Sequence, residues 1–268
     1  MNVDKAGKEF WDAGWSSQHD IKPINPNDLS CKNYVNVKLH EYFQNIFSKM
    51  QTQDMQLLEI GCACSQWLPY FAREYGFIIS GLDYSEIGCE QERGILQQAN
   101  VNGTIVCADL FSAPDSLLEK FDVVLSLGVA EHFEDTSGYM RAASHYLKKG
   151  GMIITLIPNI VGVIGWVQKI INRKVYDIHV PLTVGDLAQA NTDSGIQVLV
   201  CDYFLSANFG MCNLSGVKTK SLAYMVTRPL VAILRRVSNL VQLIESKIKV
   251  FNPDQRIATY IICVGIKK

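Results

Sequence analysis

Short apolar runs alternate with amphipathic stretches through the first two thirds of the chain. The amphipathic stretches are predicted to be helices, at 67–76, 85–100 and 136–151. The apolar runs have the length and continuous character of strands buried on both faces of a sheet, and lie at 55–61, 77–83, 103–110, 121–129, 151–159, 195–204 and 256–266. This alternation predicts an α/β fold with a doubly wound, mostly parallel, Rossmann-like sheet of seven strands.

A basic and partly apolar segment, at about 216–254, separates the last two predicted strands. Its apolar residues recur with helical spacing around Pro229, at 226, 230, 233, 234, 237, 240, 241, 244 and 248. Between 218 and 249, seven basic residues accompany one acid, Glu245. We expect a helical cap over the substrate opening. Contact with a second copy of the chain and docking on a membrane surface are the alternatives.

The composition is that of a globular protein. Apolar residues make up 48% of 268 residues, and 25 basic against 26 acidic residues give a formal charge of −1, which argues against a nucleic-acid partner. Eight scattered cysteines and a polar N-terminus without a secretory pattern indicate reduced thiols and a cytoplasmic location. The run at 152–171 is long enough for a bilayer, but Pro158 interrupts it, so a buried strand followed by a helix is expected.

The loop after the first predicted strand, in "LLEIGCACS", has the features of a nucleotide-binding turn. Gly61 permits the turn, and small residues at 63 and 65 allow close approach of a ligand. Asp83, about twenty residues on, suits ribose hydroxyls, which fits either NAD or S-adenosylmethionine. Glu59 would repel a pyrophosphate but attract an amino group and a sulfonium, and Asp109 could accept from an adenine amino group. These acids favour S-adenosylmethionine.

Five segments in order resemble the motifs of class I S-adenosylmethionine-dependent methyltransferases: "LLEIGCACS", "GLDYS", "CADLF", "FDVVLSLGVAEHF" and "LKKGGMIITLIPN". The resemblance covers about 55–160 and is strongest to the small-molecule branch, which includes ubiquinone-biosynthesis O-methyltransferases and natural-product enzymes. It implies S-adenosyl-L-methionine as cofactor, a secondary-metabolite O or N nucleophile as substrate, and an antiparallel final strand beside the fifth. The chain would then be a monomer or homodimer with four parts, namely a helical lid segment (1–50), a cofactor-binding domain (51–215), a helical cap insert (216–254) and the final strand (255–268).

The resemblance also implies roles for the matching positions. The methionine end of the cofactor would meet Glu59, Gly61, Cys62 and Ala63. Asp83 would hold the ribose and Tyr84 would pack on adenine. Asp109 and Leu110 would meet the adenine edge, and Leu127 would contact the cofactor through its backbone. Ala63 and Ser65 replace family glycines, and we expect binding to survive these small side chains.

Some ubiquinone-pathway relatives bind a divalent metal through a Glu-x-x-Glu-His set. Here Gly128 takes the place of the first glutamate before Glu131 and His132, so no metal is expected. His132 and His179 are candidate general bases, with a structural role as the alternative for each. Candidate substrate contacts are Trp11, Trp15, Tyr203, Asn208 and Asn213. An NAD-linked oxidoreductase and a non-catalytic ligand-binding or membrane-surface module remain the competing functions.

Overall fold

The computed structural model describes residues 4–16, 21–206, 208–245 and 252–268, and centres on one seven-stranded sheet. The strands are β1 (Gln56–Ile60), β2 (Ile78–Asp83), β3 (Gly103–Cys107), β4 (Phe121–Leu127), β5 (Leu147–Pro158), β6 (Ile196–Phe204) and β7 (Tyr260–Lys267). Their order across the sheet is β3-β2-β1-β4-β5-β7-β6. β7 runs antiparallel to both β5 and β6, whereas β1 to β5 pair in parallel. The predicted fold class and the antiparallel final strand are confirmed.

Helices cover both faces of the sheet. They are α1 (Lys8–Ser16), α2 (Tyr34–Phe47), α3 (Trp67–Tyr75), α4 (Glu86–Gln98), α5 (Thr136–His145), α6 (Val163–Ile171), α7 (Arg173–Asp177), α8 (Val184–Asp193) and α9 (Leu222–Glu245). One face packs against α5 and α8 through residues such as Met140 and Leu187. The opposite face packs against α2 and α3 through residues such as Phe43 and Phe71.

Local sequence explains where these helices begin and end. Ser85 caps α4 by accepting from the Gly88 amide, and Thr183 with Asp186 forms a capping box at α8. α3 ends at Gly76, whose φ of 70° is in the left-handed region that glycine tolerates.

The predicted helix at 136–151 is too long. α5 ends at His145, and β5 begins two residues later because Leu147 is buried and pairs with Phe121 at the start of β4. The double glycine at Gly150–Gly151 therefore lies within β5 and does not stop a helix.

The apolar run at 152–171 divides into β5 and α6, as expected. Among the described residues, none of the helices is long and apolar enough to cross a membrane. The described part of the segment before β7 is largely α9, with Pro229 inside the helix. Its apolar stripe, however, is exposed to solvent, whereas the breadth of the stripe in the sequence predicted that it would be buried against the domain.

Candidate active site

The carboxyl ends of β1, β2 and β4 meet beside the loop that follows β1. In this loop Gly61 has a φ of 75° and donates its amide to the Leu82 carbonyl at 2.8 Å. A β-carbon at Gly61 would overlap with the Cγ2 atom of Val129. The loop therefore requires glycine at this position both for its backbone angle and for its packing.

Asp83, the last residue of β2, holds the loop in place. Its Oδ2 accepts from the Ala63 amide at 3.1 Å, and its Oδ1 accepts from the Ser85 amide at 2.8 Å. Burial raises the pKa of Asp83 above its ordinary value, while these amide donors act in the opposite direction. The predicted ribose ligand is thus also a structural link between β1 and α4.

Two adjoining cavities lie at this edge of the sheet, with volumes of about 350 and 630 Å³. We call them the first and second cavities. Both are lined by Asp4, Gly61, Asp83, Tyr84, Val129 and Phe133. Of the predicted cofactor residues, the first cavity also has Glu59, Ala63 and Leu127 in its wall, and the second has Asp109 and Leu110.

Cys62 lies away from these cavities, contrary to the sequence expectation. Its side chain is fully buried and belongs to the core on the α2 and α3 face of the sheet. A β-carbon built on Gly81 would lie only 2.5 Å from the Cys62 sulfur. The thiol therefore occupies the space that a glycine leaves open on β2.

Two buried carboxyl groups lie close together, and one of them, Glu59, is in the wall of the first cavity. Glu59 is 3% exposed and accepts from the Ser65 hydroxyl at 2.6 Å. Burial raises the pKa of Glu59 to about 8. Glu92 is fully buried, and neither of its carboxyl oxygens has a well-formed hydrogen bond among the described residues, although the nearby Ser65 backbone N–H acts to lower its pKa. Burial, together with the nearby Glu59 charge, raises the pKa of Glu92 to about 9. A cationic ligand in the first cavity would favour ionisation of Glu59.

The N-terminal segment lies across these cavities. Trp11 donates its indole N–H to Asp4 Oδ2 at 2.8 Å, and Tyr84 donates its hydroxyl to the same oxygen at 2.5 Å. Trp15 stacks on Trp11, and both rings line the first cavity. The sequence predicted the two tryptophans but missed Asp4, since an acid in a polar segment carries no pattern of its own.

A third cavity, of about 370 Å³, adjoins the first. The two share Trp11, Trp67, Leu127, Gly128 and His132 in their walls. The rest of the third cavity is mainly apolar, with polar groups at Asn36, Glu131, Gln168, His179 and Asn213.

His132 and His179 converge at this third cavity, with ring centroids 4.6 Å apart. His132 Nδ1 donates to the Ile178 carbonyl at 2.9 Å, and His179 Nδ1 donates to the Val175 carbonyl at 2.7 Å, because a carbonyl can only accept. Burial lowers the pKa of both rings, that of His179 to about 4. Near neutral pH each ring is therefore neutral, with its lone pair on Nε2.

Glu131 completes a buried cluster with the two histidines. Its Oε1 lies 3.9 Å from His132 Nε2, and its Oε2 has no partner among the described residues. Burial raises the pKa of Glu131 to about 8. One potential ligand atom from each residue lies within 4.8 Å of the others, which is close enough for a shared metal ion. The sequence could not reveal this set because His179 arrives from a distant segment.

The structure separates the other three predicted substrate contacts. Asn213 lines the third cavity, whereas Tyr203 and Asn208 line none of the three cavities. The Asn208 side chain accepts from the Gly210 amide and so holds a short turn. We therefore assign Asn208 a structural role in this turn and not a substrate contact.

Comparison with known proteins identifies the central part of the chain. Residues 58–155 match the family model of a methyltransferase domain. The ubiquinone biosynthesis O-methyltransferase of Sinorhizobium medicae is 28% identical over 154 residues, covering 56% of this chain and 59% of the relative. The chain thus spans about three fifths of that relative's length. The corresponding Pseudomonas putida protein is 21% identical over 211 residues, covering 74% and 85% respectively.

Solved structures share the fold over nearly the whole chain. Geranyl diphosphate C-methyltransferase from Streptomyces coelicolor, solved with Mg²⁺, geranyl diphosphate and S-adenosyl-L-homocysteine, has a TM-score of 0.59 at 12% identity and covers 97% of this chain and 98% of its own. A SAM-dependent methyltransferase from Archaeoglobus fulgidus has a TM-score of 0.52 at 16% identity, covering 85% and 93%. The domain match decides against the NAD-linked oxidoreductase that the glycine loop had left open.

Proposed function

We propose that this chain, which belongs to the class I S-adenosylmethionine-dependent methyltransferases and takes S-adenosyl-L-methionine as its cofactor, methylates an oxygen or nitrogen nucleophile of a small molecule. The observation that carries the proposal is the position of His132. This ring lies in the wall shared by the first cavity, which is lined by predicted cofactor residues, and the third, which is mainly apolar.

The residues around the first and second cavities fit this cofactor. The cofactor supplies a methyl group on a cationic sulfonium. Glu59 is a buried acid in the wall of the first cavity, and its carboxylate would stabilise that positive charge. Asp83, Asp109 and Leu110 line the second cavity, where Asp83 would accept from ribose hydroxyls and Asp109 with Leu110 would meet the adenine edge. The φ of Gly61 and the small Ala63 leave the backbone accessible at the methionine end.

His132 is proposed as the general base. Its neutral ring can accept a proton on Nε2, since Nδ1 is already bonded to the Ile178 carbonyl. Trp11 packs edge-on against this ring at 5.0 Å between centroids, which restricts its orientation and excludes water. His179 lies behind His132 in the third cavity and supports the position of the ring.

The third cavity indicates the substrate class. Its apolar wall suits a flat hydrocarbon or aromatic body, and it comes from Val35, Leu39, Leu156, Ile160, Ile164, Val175, Met211 and Tyr260. Two of its polar groups, Glu131 and His179, lie beside His132, and a substrate hydroxyl would be placed at this end. Similarity to O-methyltransferases of ubiquinone biosynthesis supports oxygen over nitrogen. We therefore favour a phenol or catechol.

The test is a screen of phenols, catechols and amines with S-adenosylmethionine carrying a deuterated methyl group, read by mass spectrometry. With an accepted phenol, His132→Gln should lower kcat by about 10²- to 10⁴-fold while cofactor affinity is kept. His145→Gln, an exposed histidine on α5, is the matched control and should leave kcat unchanged. Full activity of His132→Gln would show that His132 is not the general base.

The same buried cluster supports a second candidate, metal-assisted methyl transfer. Glu131, His132 and His179 together offer the three ligand atoms that Gly128 had seemed to rule out. Our proposal remains a reaction without metal, so turnover should survive EDTA treatment followed by dialysis. Loss of turnover that is restored by a divalent ion, and that His179→Gln also abolishes, would establish the second candidate instead.

A further inference from the structure

The apolar side of α9 faces away from the protein. The fully buried residues of this helix are Val231, Ser238 and Gln242, which share one side at 100° per residue. The opposite side presents exposed large apolar residues over the whole helix, at Leu222, Met225, Val226, Leu230, Ile233, Val237, Leu240, Leu243 and Ile244. Exposure reaches 77% at Leu222 and 57% at Ile233 and Leu240. A surface helix of a globular domain normally has the reverse arrangement.

Polar contacts fix this orientation. The Ser238 hydroxyl oxygen accepts from the Phe209 amide at 2.8 Å, and Arg235 donates to the Cys212 carbonyl at 3.2 Å. At the end of the helix, Glu245 accepts from the hydroxyls of Ser206 and Tyr34. Turning the apolar side inward would break all of these bonds and bury ionised groups. The outward face is therefore a stable feature of the fold.

α6 adds a second exposed apolar pair. Trp166 and Ile170, one helical turn apart, are 64% and 60% exposed. The buried side of α6 packs against α9 through Val231. Tryptophan is enriched where a protein meets the boundary between lipid headgroups and acyl chains.

The exposed charges on α9, on α6 and in the turn before α9 have one sign. Exposed basic residues lie on α9, on α6 and in the turn before α9, at Lys169, Lys218, Lys220, Arg228, Arg235 and Arg236. Within the described residues from 218 to 245, the one acid is Glu245, which points inward to Ser206 and Tyr34. The chain as a whole has a formal charge of −1, so this basic character is local.

We propose that the exposed face of α9, together with Trp166 and Ile170, docks on the surface of an anionic lipid bilayer. An apolar stripe flanked by arginine and lysine is the pattern of a helix lying in the plane of a bilayer interface. A symmetric contact with a second copy would bring two basic surfaces together, which opposes it. Anionic headgroups complement the same charges.

Docking would also serve the proposed function. Ile164 and Gln168 of α6 line the third cavity, while Trp166 and Ile170 of the same helix are exposed. A docked protein would hold this wall of the substrate cavity near the bilayer, where apolar phenols partition. This consequence depends on the proposed function, whereas docking itself does not.

The test is co-sedimentation of the full chain with vesicles. We expect binding to phosphatidylcholine vesicles containing about one third phosphatidylglycerol, weakened by added salt, and little binding to phosphatidylcholine alone. Ile233→Asp/Leu240→Asp should lower the partition coefficient at least about tenfold, as should Arg228→Glu/Arg236→Glu. Matched controls are Leu29→Asp, at an exposed leucine outside this surface, and Lys149→Glu, at an exposed lysine on β5.

All the substituted side chains are exposed, so circular dichroism and affinity for S-adenosylhomocysteine should stay unchanged in every variant. Absence of binding to anionic vesicles would overturn the proposal. So would concentration-dependent dimerisation in sedimentation velocity that Ile233→Asp/Leu240→Asp abolishes, because the second copy would then be the occupant. Methyl transfer to a water-soluble phenol, measured without vesicles, reports on the proposed function separately.

Discussion

At the scale of single residues, the loop after β1 shows how a glycine can be replaced. Ala63 stands where the resembled family has glycine, and its methyl group lies against Gly88 of α4. A β-carbon at Gly88 would overlap with the Ala63 Cβ and lie 3.2 Å from Trp15 Cδ1. The methyl group that Ala63 adds to the loop therefore occupies the space that the missing side chain of Gly88 leaves on α4. The sequence identified Ala63 as a departure but could not identify its partner, which is distant along the chain.

This pairing predicts the result of a double-mutant cycle. Gly88→Ala should destabilise the protein by about 1–3 kcal/mol through overpacking and weaken S-adenosylhomocysteine binding by displacing the loop. Ala63→Gly/Gly88→Ala should recover most of both losses. Gly94→Ala, in the same helix but with no described atom beyond the helix's own nearby backbone within 4 Å of the added methyl, should instead stabilise by about 0.5–1 kcal/mol. Thermal unfolding and calorimetric titration measure these effects. Additive losses in the double variant would contradict the pairing.

At the scale of elements, the N-terminal segment is attached by polar contacts and by its tryptophan rings, with Trp11 packed on His132 and Trp15 close to Gly88. α1 has no fully buried residue. Asp4 accepts from both Trp11 and Tyr84, and the Lys5 amide donates to the His132 carbonyl, so these bonds connect the segment to the site. An element held in this way should open locally without unfolding of the sheet.

Asp4→Ala should therefore separate ligand affinity from stability. Removing the shared acceptor leaves the Trp11 and Tyr84 donors unpaired, and we expect cofactor affinity to fall by about 1–3 kcal/mol. Amide hydrogen exchange in α1, residues 8–16, should become faster, while the melting temperature of the ligand-free protein should change little. Asp12→Ala instead removes the acceptor of the Ser85 hydroxyl. This variant tests whether the loss of any polar contact of α1 has the same effect. Unchanged exchange in Asp4→Ala would show that other contacts hold the segment.

Strands were more predictable than helix orientation. The apolar runs located all seven strands because burial on both faces leaves a continuous signal. The end of α5 was missed because Leu147 joins the sheet, which is a tertiary effect. The outward rotation of α9 could not be inferred either, since periodicity identifies an apolar side but not the direction that it faces. For the same reason, the approach of His179 to His132 required the fold.

At the scale of the whole molecule, three buried carboxyl groups make stability depend on pH. The pKa values of Glu59 and Glu131 are raised to about 8 and that of Glu92 to about 9, mainly by burial. When the pKa of a carboxyl group is higher in the folded than in the unfolded protein, its contribution to folding stability is complete below the unfolded-state pKa. That contribution is lost as the pH rises through the folded-state pKa. The pKa values of His132 and His179 are lowered, so their contribution is lost only as pH falls below about 6.5.

The melting temperature of the ligand-free protein should therefore fall between about pH 7 and 8, above the unfolded-state pKa of histidine and below that of cysteine, where the buried carboxyl groups dominate. Glu92→Gln should flatten this slope because the amide cannot ionise. Glu74→Gln, at an exposed carboxyl group on α3, should leave the slope unchanged. Differential scanning calorimetry across this range provides the measurement. A melting temperature that rises with pH in the wild-type protein would contradict the burial of these acids in neutral form.

We infer that the loop after β1 and the end of β2 form the S-adenosylmethionine site. Calorimetric titration of S-adenosylhomocysteine into the wild-type protein and Asp83→Ala tests it most directly. We expect one binding site in the wild-type protein. We also expect binding to weaken by roughly 1–3 kcal/mol in the variant, since Asp83 both lines the cavities and accepts from the Ala63 amide. No binding to the wild-type protein, or equal affinity in Asp83→Ala, would contradict it.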